Sequence, residues 1–167
     1  INAQSMFDFL AKNFNSLKNK PLVFCSKGID MKYCLFQTEI AERFLDKKLF
    51  SVLSGPGFAS DIVREKPIAL SLACKNINLG KKIQHMLSSQ SIRIYLNNDL
   101  IGTQLGGALK NVIAIACGIA DANELGEGAK SAIITRGFSE IRQIGKSFDC
   151  NIETLFGLSC LGDLSLS

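Results

Sequence analysis

Three charged residues and one glycine turn in this sequence have the types and surroundings to do chemistry: Lys110, Lys27, Asp163 and Gly55-Pro56-Gly57. Lys110 stands with Asn111 inside LGGALKNVIAIACGIA, a run apolar nearly all round, as a central buried helix is. A buried ammonium is expensive unless paired. A lysine in a dry setting can also exchange a proton with a substrate; at a helix edge it would merely snorkel. Lys27, in FCSKG, lies just past the C-terminal end of an expected strand, the place where open α/β sheets bind ligands. A cation there can hold a carbonyl oxygen or a phosphate, whereas an ordinary loop lysine is only solvated. Asp163, in CLGDLSLS, is a lone carboxylate among apolar residues, suited to pairing with a lysine or to capping a helix. Two lysines, a buried carboxylate and glycine turns at strand ends together point to reduction of a phosphorylated carbonyl compound.

The glycine turn has a near match to the dinucleotide fingerprint, since GPGFAS reads G-x-G-x-x-S. Pro67 and a second apolar run, IALSLA, arrive too soon for the helix that would cross to a parallel strand. The acidic residue expected about 20 positions on, for a ribose, is replaced by Lys75. The stretch therefore reads as a strand, a glycine turn, at most a short helix, and another strand. Its glycines let backbone pass close to a neighbour.

The elements that must position these residues alternate in the first half. SMFDFLAKNFNSLK carries apolar residues at helical spacing (Met6, Phe7, Leu10, Phe14, Leu17). PLVFC reads as a strand, YCLFQTEIAERFL as a helix, LFSVLSG and IALSLAC as strands, LGKKIQHMLSS as a helix and IRIYLN as a strand. This alternation predicts an α/β fold, a sheet covered by helices. After Asn97-Asn98-Asp99 the pattern is all-helical. A long apolar helix is followed by a GEG loop, by GAKSAIITRGFSEIRQIGKSF, and by a third helix from NIETLFGL with Asn151 as its N-cap. The expected boundary divides residues 1–98 from 99–167. In the long helix Gly106 and Gly107 each cost roughly 1 kcal/mol against alanine, which predicts close approach of another element or a ligand.

Composition narrows the classes. Of 167 residues 47% are hydrophobic, enough for a packed core. The longest unbroken apolar run, VIAIAC, falls far short of the ~20 residues of a membrane span. The net charge of +4 is spread over scattered pairs such as Lys47-Lys48 and Lys81-Lys82, which argues against a nucleic-acid face. None of the six cysteines forms C-x-x-C and the single histidine, His85, has no ligand-spaced partner, so no metal site is expected. Most of the cysteines lie inside apolar runs, as small buried residues in a reducing cytoplasm do. His85 reads as a helix-surface residue.

In order along the chain, SKG, LSGPGFA, GGALKNVIAIACGIAD, AKSAIITRGFSEI and FGLSCLGDL closely resemble the motifs of the bacterial NAD(P)-dependent glycerol-3-phosphate dehydrogenase family. The resemblance covers essentially the whole chain. It implies an N-terminal Rossmann domain and a C-terminal helical domain with the active site between them. It further implies reduction of dihydroxyacetone phosphate to sn-glycerol 3-phosphate with NADPH or NADH, for phospholipid synthesis. By the same resemblance Lys110 is the catalytic proton donor and acceptor, and Lys27 contacts substrate and cofactor. Gly55, Gly57, Asp163 and Ser167 are substrate-side residues and Ala59 is a cofactor contact. GPGFAS then becomes a second loop at the cofactor crevice rather than the pyrophosphate loop.

Two departures stand out. The family carries a serine or threonine hydroxyl where this chain has Gly57, and threonine is more usual at Ser167. The family's G-x-G-x-x-G belongs upstream of Ile1, and its arginine-asparagine pair beyond Ser167, so the sequence reads as the middle of a longer enzyme. The alternative is a non-catalytic remnant of a split or decaying reading frame; a related hydroxy-acid dehydrogenase is disfavoured by A-L-K-N with its downstream G-D-L. The apolar central helix is compatible with a homodimer.

Overall fold

The computed structural model describes residues 3–166. Helix α1 (Ala3–Leu17) leads into strand β1 (Leu22–Phe24), helix α2 (Gln37–Ala41), a 3-10 turn (Lys47–Leu49) and strand β2 (Phe50–Ser54). Helix α3 (Ala59–Val63), strand β3 (Ile68–Cys74), helix α4 (Ile77–Leu87) and strand β4 (Ile92–Asn97) complete the sheet half. The helical half holds α5 (Leu100–Ala122), α6 (Gly126–Ser147), α7 (Ile152–Phe156), a π-helical turn (Leu158–Gly162) and α8 (Asp163–Leu166).

The strands stand in the order β1-β2-β3-β4. β1 and β2 run parallel, as do β3 and β4. β2 and β3 are antiparallel, with Ser54 opposite Ser71. The sheet is thus mixed, as the missing crossover after GPGFAS requires. The reason is local: between β2 and β3 the chain builds only the short α3, too little to cross over, so it turns back.

A correction concerns the helix expected over residues 33–45. Asp30, buried, accepts hydrogen bonds from the amides of Lys32 (3.1 Å) and Tyr33 (2.8 Å), and Cys34 adopts φ 52°. These side-chain-to-backbone bonds compete with helix formation. Helix therefore begins only at Gln37, where the Glu39 carboxylate accepts from the Phe36 amide at 2.8 Å. Likewise the GEG glycines do not form the loop before α6; Gly126 and Gly128 lie in that helix's first turn.

One core packs Met6 and Leu10 of α1, an i,i+4 pair on one face, against Phe24, Phe50, Val52 and Ile40. A second, on β3, β4 and α4, is built on Leu72, Ile83 and Ile94, and a third fills the helical half around Ile113, Phe138, Leu155 and Cys160. α5 starts at a cap: Asp99 accepts from the Gly102 amide at 2.7 Å, and its other oxygen accepts from the Asn151 amide at 2.9 Å. α5 then packs against β2 and β3 on one side and α6 on another. It is not buried all round as its composition implied, because Val112, Ile115 and Ile119 are each more than half exposed. By length and composition alone α5 could cross a membrane. Of the six cysteines, Cys74, Cys117 and Cys160 are buried, Cys25 and Cys34 are exposed and Cys150 is intermediate, so only half follow the buried pattern expected of them. His85 is exposed near the end of α4.

Candidate active site

Three of the residues singled out from sequence converge. Lys110, on α5 and 7% exposed, places its Nζ 3.1 Å from Oδ1 of Asp163. Lys27, in the loop after β1, pairs through its Nζ with the other oxygen, Oδ2. Asp163 is itself 4% exposed. One buried carboxylate thus accepts from two ammonium groups that are 83 residues apart in sequence by their numbering, 110 minus 27. Charges so placed hold together only because they are paired. An ammonium group on each carboxylate oxygen puts cationic groups at one place, where they can meet an anionic ligand.

Local packing explains why Asp163 sits there. The π-helical turn Leu158–Gly162 carries the chain beneath α5, and Asp163 follows as the first residue of α8. Such turns widen a helix and re-aim the side chains that follow. Cys160, fully buried in the turn, rests against Gly106: a Cβ on Gly106 would lie 2.5 Å from the Cys160 Cβ. The close approach expected at Gly106 is therefore to another element of the chain. Burial, with the Asp163 charge adding to it, pushes the Cys160 thiol up to about 12.

At the sheet side, Gly107 faces the strand end. A Cβ there would stand 3.2 Å from the Ser54 Oγ and 3.4 Å from the Lys27 Cγ. The Ser54 hydroxyl is buried and has no hydrogen-bond partner among the described residues. Gly55 follows with φ 144°, a conformation that L side chains rarely adopt, and its Cβ position lies 3.2 Å from the Leu70 Cα. At Gly57 a Cβ would meet the flexible tips of Leu70, at 3.0 Å, and Ile68, at 3.6 Å. Ala59 opens α3 and is exposed. No hydrogen bond or ion pair joins Gly55, Gly57 or Ala59 to the lysine pair among the described residues. Ser167 lies outside the described residues.

Sequence reasoning missed Ser54 and a buried amide network through Gln37, Thr38 and Gln104. The signal was a set of polar residues inside apolar helical stretches, LFQTEIA and LIGTQLGG, where only a satisfied polar group is tolerated.

The model for the C-terminus of NAD-dependent glycerol-3-phosphate dehydrogenase matches residues 99–167, and that for its N-terminus matches residues 1–80. The chain belongs to the NAD-dependent glycerol-3-phosphate dehydrogenase family. It is 41% identical over 167 residues to the glycerol-3-phosphate dehydrogenase [NAD(P)+] of Roseobacter denitrificans, covering all of this chain and 52% of that protein. It is 45% identical over 147 residues to the corresponding enzyme of Paramagnetospirillum magneticum, covering 88% of this chain and 54% of that one. The crystal structure of glycerol-3-phosphate dehydrogenase from Coxiella burnetii superposes with a TM-score of 0.92 at 32% identity, over 99% of this chain and 51% of that one. The chain spans about half the length of the relatives it matches. The family is NAD(P)-dependent.

The residues present fit one side of a nicotinamide cofactor. A small-residue turn follows the Ser54 hydroxyl at the strand end, where Ser54 and Lys27 both face Gly107 of α5. The sequence holds no G-x-G-x-x-G to cradle a pyrophosphate.

Proposed function

We propose that this chain supplies the substrate side of a dehydrogenase that interconverts dihydroxyacetone phosphate and sn-glycerol 3-phosphate with NADPH or NADH. The observation that carries the reading is the pairing of Lys27 and Lys110 on the two oxygens of buried Asp163. In this reading residues 1–98 are part of a Rossmann-like domain and residues 99–167 part of a helical, substrate-binding domain.

Lys27 and Ala59 would hold part of the cofactor, which would supply the hydride. The chain's own residues do the rest. Reduction at the carbonyl carbon leaves negative charge on its oxygen, which needs a positioned donor. Lys110 gives that oxygen a proton through Nζ and regains one from solvent after the alcohol leaves; oxidation of the alcohol runs the same transfer backwards. Lys27, partly open to solvent, holds the substrate's oxygens as they arrive. Asp163 keeps both ammonium groups aimed at one place, and Gly55 and Gly57 let the substrate approach backbone. The missing hydroxyl at Gly57 weakens substrate binding by about 1 kcal/mol, the weight of one hydrogen bond.

The reading extends to a cytoplasmic enzyme that supplies sn-glycerol 3-phosphate for phospholipid synthesis. α5, with a buried ion pair at its middle, serves as a core helix rather than a membrane span. Its exposed apolar side chains are compatible with pairing of two copies.

The test compares the chain alone with a chimera in which flanking segments of the Roseobacter denitrificans relative are joined to both ends. The chimera is expected to oxidise NADPH or NADH only when dihydroxyacetone phosphate is added, and the 167-residue chain to do nothing. A folded chimera without substrate-dependent oxidation favours the remnant reading and contradicts the proposal.

A further inference from the structure

We infer that the dipeptide Gln37-Thr38 at the start of α2 is the brace that positions Lys27 against Asp163. Gln37 grips the residue before Lys27 at two points. Its Nε2 donates to the Ser26 carbonyl at 3.0 Å, and its Oε1 accepts from the Ser26 hydroxyl at 3.0 Å. The neighbouring Thr38 is bound to α5, the helix that carries Lys110. The Thr38 amide donates to Gln104 Oε1 at 3.2 Å, and Gln104 Nε2 donates to Thr38 Oγ1 at 2.8 Å and to the Leu100 carbonyl at 3.0 Å. Gln37 and Thr38 are each 1% exposed and Gln104 is 7% exposed.

The arrangement adds a directional polar link to the apolar core that Leu100 of α5 shares with Ile40 and Phe24. The Lys27 loop follows a strand of only three residues and would otherwise be held by little. Side-chain amides are suited to this task because each offers a donor and an acceptor in one rigid plane. A fully satisfied buried network fixes a unique geometry, since slipping would strand polar groups away from water. α2 therefore transmits the position of α5 to Ser26, and through it to Lys27. Gln37 acts through Ser26 and touches no substrate, so it is a positioning residue.

The inference gives the proposed substrate-side role of Lys27 its structural support, but its test involves no substrate, so the two can fail separately. The full chain is labelled with nitrogen-labelled lysine, and the exchange of each ammonium group with solvent is followed by NMR. The Lys27 and Lys110 signals are assigned with Lys27→Arg and Lys110→Arg. In Gln37→Met, which keeps size and loses both bonds, exchange at Lys27 is expected to rise about fivefold or more, as the loss of a net hydrogen bond implies. Lys110 should keep its rate, because its own contact with Asp163 remains. Gln37→Glu, which keeps the acceptor for the Ser26 hydroxyl, should recover part of the protection. Should Gln37→Met fail to fold, Ser26→Ala removes one of the two bonds at a half-buried position and should still speed Lys27 selectively. Unchanged exchange at Lys27 in these variants, or equal acceleration at Lys27 and Lys110, overturns the inference.

Discussion

Lys110 reaches Asp163 from the middle of a 23-residue helix with 8% of its side chain exposed, whereas Lys27 reaches the same carboxylate from a loop with 30% exposed. The helix fixes Lys110 by backbone hydrogen bonds and by packing against sheet and helices on several sides. The loop holds Lys27 through the bonds of its neighbour Ser26 to α2 and through the carboxylate itself. One cation is set in place by the fold and the other by a polar scaffold. A proton donor needs the first kind of placement, since distance to the reacting oxygen decides its worth. A group that receives substrate from solvent benefits from the second.

The comparison breaks most severely at the shared partner. Asp163→Asn removes the charge that both ammonium groups share, and one of the two, Lys110, is only 7% exposed. The expected loss is about 3–5 kcal/mol of stability in urea unfolding; a loss under about 1 kcal/mol would mean that Lys110 relaxes to solvent as easily as Lys27. Next comes Gly106→Ala, whose Cβ would meet the Cys160 Cβ at 2.5 Å. Overpacking there should cost about 1–3 kcal/mol and should shift Asp163 with the π-helical turn. An unchanged melting temperature would show that the turn yields freely.

Alkaline pH probes the helical side alone. The Cys160 thiol stands near 12 in the fold against an ordinary 9.0. In the unfolded chain the thiol ionises first, so the folded state binds more protons above pH 9 and stability falls as pH rises. The stabilisation is whole below pH 9 and declines up to pH 12, at about 1.4 kcal/mol per pH unit for this group. Cys160→Ala should flatten the curve over that window by this slope, and equal slopes in the two proteins would rule the thiol out. The smallest effect is expected at Lys27→Met, which removes a partly exposed ion pair worth about 1 kcal/mol or less. A much larger loss in thermal unfolding would show that the loop, too, depends on the carboxylate for its fold.

Much of this was legible in the sequence because it rests on local patterns. The apolar run around Lys110 marked a long helix with one buried side, the interrupted spacing after GPGFAS excluded a crossover, and Asn151 did cap α7, accepting from the Glu153 amide at 3.0 Å. What was not legible depends on contacts distant in sequence. The pairing partners and register of β2 and β3, with Ser54 opposite Ser71, follow from the assembled sheet and not from either strand's own residues. The helix expected from Tyr33 was stopped by Asp30 reaching forward to two amides, a competition that periodicity does not register. For the site, Lys110, Lys27 and Asp163 were recognisable one by one, but their meeting on one carboxylate needs α5, β1 and the π-helical turn together. Ser54 and the Gln37, Thr38 and Gln104 network stayed hidden because single polar residues in apolar stretches acquire meaning only with their partners.

The central claim is that the helix-borne lysine moves the proton and the loop-borne lysine holds the substrate. It is tested by single-turnover kinetics and cofactor titration on the chimera with Lys110→Met and with Lys27→Met. Lys110→Met should lower the rate of the chemical step by about two to four powers of ten, the usual worth of general acid–base help, with cofactor affinity unchanged. Lys27→Met should weaken substrate binding as well as slow the step. A Lys110→Met chimera that turns over at near-normal rate would contradict the account, for Lys110 would then be a paired core residue and nothing more.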